Sequence, residues 1–199
     1  MSHACYTIDN NSRGHAATLI VDAGEVINQG GYAIRQFVNG NANIVTINGG
    51  NVTGTRAVWM QLAGSDTSKA PVAKLNVTGG TLTATGENGG YKLAVYSYNY
   101  GNSLANTKIN ITGGTLNGDV ALTGGANKTV VETVTVTGGK INDLYSYGAD
   151  ELAVPAIALT GGTFNTNYAE LYALDNGYIF RANEKGIGCL SRLDIYRQH

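Results

Sequence analysis

Three carboxylates, Asp119, Asp143 and Glu170, recur one repeat apart, in "DVALTG", "DLYSYG" and "AELYALDNG". On adjacent strands of one sheet such groups would lie about 5 Å apart, near the separation at which one acid attacks a sugar carbon while the other protonates the leaving oxygen. A second set, Trp59, Tyr96, Tyr98, Tyr145, Tyr147 and Tyr172, runs beside them at the same repeat positions. Rings exposed in a row offer flat apolar surfaces with polar edges, which suits the faces of sugars. Strand propensity alone also places Tyr and Trp on pleated surfaces, where they pack on one another. What either set does therefore depends on the elements that carry it.

Other chemistry is poorly supplied. His3, His15 and His199 lie in terminal segments with no acid or Cys at a ligand spacing, so each reads as a solvated histidine. Cys5 and Cys189 sit near opposite ends, too far apart in sequence for a metal knuckle and too few for a disulfide framework. "GGANKT" lacks the spacing of a phosphate loop, and no G-x-S-x-G occurs. No cofactor and no metal ion are expected. A net charge of −1 gives no footprint for nucleic acid or an anionic membrane surface. No apolar run reaches the roughly 18 residues of a membrane helix, and the first residues lack a basic segment followed by an apolar one.

The elements follow from a repeat. Six phrases align: "LIVDAGEV", "VTINGGNV", "LNVTGGTL", "INITGGTL", "VTVTGGKI" and "IALTGGTF", with Gly24, Gly50, Gly80, Gly114, Gly139 and Gly162 in one column. A unit of about 20–50 residues marks a solenoid. Within a unit the period is two: Ile109, Ile111 and Leu116 alternate with Asn110, Thr112 and Thr115, and the glycine pair reads as a tight corner between strands. A second strand column follows each phrase, as in "YAIRQFVNG", "RAVWMQLAG" and "LAVYSYNYG". Helical periodicity is missing. The predicted fold is all-β, a single-stranded right-handed parallel β-helix (a β-solenoid) of about six coils. Residues 19–177 form it, 1–18 make an N-terminal cap or irregular segment, and 178–199 make a C-terminal cap or tail.

Period two then assigns faces. With Ile34, Val58, Val95, Val120, Leu144 and Leu171 inward, the following row, Arg35, Trp59, Tyr96, Ala121, Tyr145 and Tyr172, points outward, extended by Tyr98 and Tyr147. The preceding row, Ala33, Ala57, Ala94, Asp119, Asp143 and Glu170, is expected outward as well. A third outward column, Asp22, Asn48, Thr78, Thr112, Thr137 and Thr160, reads as an ordinary polar ladder. The insertion "TATGENGGYK" enlarges one coil around Glu87, and insertions map to the outside of a solenoid, often to its binding face.

The "TGGTL" and "TGGTF" units, ending in "LTGGTFNTNYAELYALDNGYIF", resemble the β-helical repeat regions of large surface proteins of gut-type bacteria. Similar repeats occur in fibre and tail proteins of their phages. The resemblance covers about residues 19–185 and stops before "GIGCLSRLDIYRQH". It implies a non-catalytic stalk or adhesin module, extracellular or on a bacterial cell surface, or alternatively a structural part of a phage particle. The expected partner is a cell-surface or environmental glycan held by the aromatic row, with self-association through the solenoid ends. No nucleic acid or membrane partner is expected. The alternative is a polysaccharide lyase or glycoside hydrolase using Asp119, Asp143 and Glu170, since β-helical enzymes of that kind build sites from stacked acids.

Overall fold

The computed structural model describes residues 5–63, 69–87, 89–99, 104–123, 132–147, 156–165, 178–182 and 188–192. For 123, 145–147, 178–182 and 188–192 it describes the backbone only. Every element among these residues is a strand.

Three sheets stack around one core. The first contains β1 (Tyr6–Asn11), β4 (Tyr32–Val38), β7 (Val58–Leu62), β10 (Leu93–Asn99), β13 (Asp119–Thr123) and β16 (Leu144–Tyr147), in that order. The second runs from β2 (Ala17–Val21) through β5 (Asn43–Ile47), β8 (Val72–Val77), β11 (Asn106–Ile111) and β14 (Thr133–Val136) to β17 (Ala156–Leu159). The third holds β3 (Glu25–Ile27), β6 (Asn51–Gly54), β9 (Thr81–Ala84), β12 (Thr115–Asn117), β15 (Lys140–Ile141) and β18 (Thr163–Phe164). The chain visits the sheets in rotation, so each strand pairs in parallel with its counterpart one turn away. Five turns separate β1 from β16. This is the parallel β-solenoid that the repeat predicts.

Alternation explains the core. Val45 and Ile47 stack on Leu75 and Val77, and these on Ile109 and Ile111, then Val134 and Val136. All eight are fully buried. Val136 sits between Ile111 and Leu159, as period two requires. Ile34, Val58, Val95, Val120 and Leu144 form the matching column of the first sheet, each without exposed surface. Outside, Asn48 donates to Asp22 Oδ1 at 2.8 Å and Thr78 donates to Asn48 Oδ1 at 2.7 Å, so the third column is a polar ladder.

The glycine pairs have two separate causes. The second of each pair adopts a left-handed backbone, as at Gly80 with φ 74°. The first faces the coil before it: a Cβ on Gly79 would stand 2.3 Å from the carbonyl oxygen of Asn48. Ala23 holds that first position in the first coil and is exposed. No earlier corner is stacked against it among the described residues.

Both ends add strands to the frame. Residues 6–11, within the segment assigned to an N-terminal cap, form β1 and pair in parallel with β4. At the other end β19 (Tyr178–Ala182) and β20 (Gly188–Arg192) form an antiparallel hairpin, and β20 pairs antiparallel with β18.

One sequence expectation fails at the corner entering the first sheet. Ala33, Ala57 and Ala94 are fully buried, and Asp119 and Asp143 are only 3% and 5% exposed. In each of these coils a buried residue stands directly before the inward column, as Ala57 does before Val58 and Asp143 before Leu144, and the ladder between β10 and β13 slips between Leu93 and Val95. Period two does not extend around a corner, so the row before the inward column turns inward too.

Candidate functional site

The outer face of the first sheet carries the rings. Arg35 pairs with Trp59, Trp59 with Tyr96, Tyr96 with Ala121, and Ala121 with Tyr145, which is the predicted register, although Ala121 is fully buried rather than exposed. Gln61, Tyr98, Thr123 and Tyr147 form the next. Trp59, Tyr96 and Tyr98 are half-buried. Tyr145 and Tyr147 occupy their backbone positions in β16, while Tyr172 and Glu170 lie outside the described residues.

The rings form a connected cluster. Trp59 meets Tyr32 edge-on at 4.9 Å between centroids and Tyr6 at 6.0 Å. Tyr6 and Tyr32 are 5.8 Å apart, and Tyr96 and Tyr98 6.0 Å. Two guanidinium groups tie the rings together. Arg35 lies over Tyr6 at 4.4 Å and Phe37 at 4.7 Å, and Arg56 over Tyr96 at 4.5 Å and Tyr32 at 4.9 Å. Such contacts contribute about 0.5–2 kcal/mol each and fix ring orientation.

The two cations differ. Arg35 is forked onto Asp9, with Nε donating to Oδ1 at 2.8 Å. The hydrogen bond it donates to Asp9 raises its pKa above the ordinary arginine value, against the opposing effect of burial. Arg56 donates to the Tyr32 hydroxyl at 2.8 Å and has no carboxylate partner among the described residues.

Sequence reasoning missed Tyr6, Tyr32, Phe37 and Arg56. Tyr32 and Arg56 open their second-column phrases, "YAIRQFVNG" and "RAVWMQLAG", which was the available signal. Tyr6 had none, because its coil lacks the glycine phrase until Gly24.

The acids sit elsewhere. Asp119 is buried and accepts a hydrogen bond from the Asn142 amide. Desolvation raises its pKa, Asn142 opposes that, and the Asp143 charge adds to it. Asp143 Oδ1 accepts from the Leu144 amide at 2.7 Å. In this arrangement the two carboxylates secure the corner and Asn142. They are not presented together on an open face.

Two concavities flank the inserted loop between β9 and β10. A pocket of about 140 Å³ lies between Tyr32, Arg56, Glu87 and Tyr91 on the aromatic side. A groove of about 500 Å³ lies on the other side, along the third sheet, and Glu87 borders both.

A third buried acid escaped the sequence reading. Glu132 precedes β14, is 1% exposed, and accepts from Ser97 Oγ at 3.1 Å while Ser97 and Thr107 share a hydrogen bond of 2.8 Å. Its Oε2 has no partner among the described residues, and burial pushes its pKa up to about 7.

Fold and face together define a parallel β-solenoid with a clustered aromatic–arginine surface on one side. No family model, no curated protein and no solved structure matches the chain.

Proposed function

We propose that this chain is a non-catalytic stalk or adhesin module of a bacterial surface that holds glycans on the outer face of its first sheet. The supporting observation is the continuity of Tyr6, Tyr32, Trp59, Tyr96 and Tyr98 across four stacked strands, locked by Arg35 and Arg56. A sugar stacks on a ring whose orientation is already fixed without paying further side-chain entropy, and flanking guanidinium groups donate to its hydroxyls. The burial of Asp119 and Asp143 weighs against a cleaving site at those acids.

The test is a glycan array on the purified chain, repeated with Trp59→Ala/Tyr98→Ala and with release of reducing sugar assayed in parallel. Each lost stacking contact is worth about 1 kcal/mol, so the double variant should bind roughly thirtyfold more weakly. Unchanged glycan binding together with a lowered melting temperature would make the rings packing residues. Sugar release that Asp143→Asn abolishes would replace the reading with an enzyme.

A further inference from the structure

The groove beside the inserted loop is built differently from the aromatic face. Thr83, Asn117, Asn142 and Asn165 line it from four successive coils, so its polar groups follow the solenoid axis. Neighbouring strands are about 4.8 Å apart, and the row therefore spans about 14 Å. That step is comparable with the length of one pyranose unit. The loop supplies the wall through Glu87 and Lys92, and Lys140 stands on the third sheet.

A ladder of asparagines often serves only to stack coils, but this one is interrupted. Asn117 donates to Thr83 Oγ1 at 3.2 Å and Asn165 donates to Asn142 Oδ1 at 3.1 Å. Between them, Asn142 turns its amide nitrogen inward to Asp119. Asn117 and Asn142 therefore do not bond each other, and Asn117 Oδ1 lines the groove without a protein partner among the described residues. An amide joins a donor and an acceptor in one plane, which matches a pair of neighbouring hydroxyls. Lys92 and Lys140 are exposed and in no ion pair among the described residues, and two ammonium groups face one carboxylate, Glu87. Asp119 and Asp143 are buried beneath and do not line the groove.

We infer that this groove is a second binding site, for a linear oligosaccharide bearing carboxylates, with the asparagines on its hydroxyls and Lys92 and Lys140 on its acid groups. The site is separate from the aromatic face and does not depend on it.

Calorimetric titration with a galacturonate hexamer tests it, with the fully methyl-esterified hexamer as the uncharged match. The acid form should bind, weaken as salt is raised, and bind at least about tenfold more tightly than the ester. Lys92→Gln/Lys140→Gln should remove that preference at unchanged melting temperature, and Asn117→Ala should weaken both forms. Trp59→Ala/Tyr98→Ala should leave this titration as it was. Absence of binding, equal binding of acid and ester, or binding lost in the aromatic variant but kept in the lysine variant would overturn the inference. The last outcome would leave the aromatic-face reading standing, and the first two would not touch it.

Discussion

Glu132 is a buried acid held by hydroxyl groups and by no cation among the described residues. Its pKa is raised from the ordinary 4.5 to about 7 by burial, so the folded state keeps a proton that the unfolded chain releases. The associated stability is fully present below about pH 4.5 and is lost as pH rises through about 7, a change of about 3 kcal/mol at most. Glu132→Gln, which keeps the shape without the charge, should raise the melting temperature at pH 8 and leave it nearly unchanged at pH 4.5. Equal effects at both values would mean that folding does not raise the pKa of this carboxyl. The corners offer a sharper residue test. A Cβ on Gly138 would stand 2.4 Å from the Thr112 carbonyl oxygen, whereas Ala23 already carries one with no earlier corner stacked against it among the described residues. Gly138→Ala should cost about 3 kcal/mol, and Ala23→Gly under about 1 kcal/mol, as read by denaturant titration.

At the level of strands, register is the quantity to test. Val136→Asp would bury an unpaired charge between Ile111 and Leu159 and cost several kcal/mol, while Thr137→Asp, exposed at the corner, should cost under about 1 kcal/mol. Similar losses in thermal melts would contradict the assigned faces. Strand content and inward columns could be read from sequence because β-branched residues alternate and the glycine pairs recur at each corner. The aromatic row followed from the same alternation, and Arg35, Trp59 and Tyr96 are indeed in line. Alternation fails where the chain turns, and there Asp119 and Asp143 were placed on the wrong side. The alanines at the same position in earlier coils, Ala33, Ala57 and Ala94, were the sign that this row is inside. Glu132 was unreadable for a related reason. Nothing in "VETVTV" distinguishes a solvated strand start from one roofed by Ser97 and Thr107.

As a whole the molecule is a stack in which each coil contacts chiefly its neighbours, so its two ends carry special weight. The antiparallel hairpin of β19 and β20 lies along β18, the last rung of the third sheet. Deleting residues 178–199 should expose that rung and promote association, visible as a concentration-dependent mass by light scattering. A truncated chain that remains monomeric and equally heat-stable would show that the hairpin does not protect the edge. The opposite edge has a chemical stop instead. A second molecule adding as one more parallel coil beneath the first would bring a backbone carbonyl to within about 2.2–2.4 Å of the Ala23 methyl, the distance that the glycines elsewhere avoid. The Ala23 methyl would therefore obstruct in-register parallel addition at this corner, while in the folded chain no earlier corner among the described residues meets it.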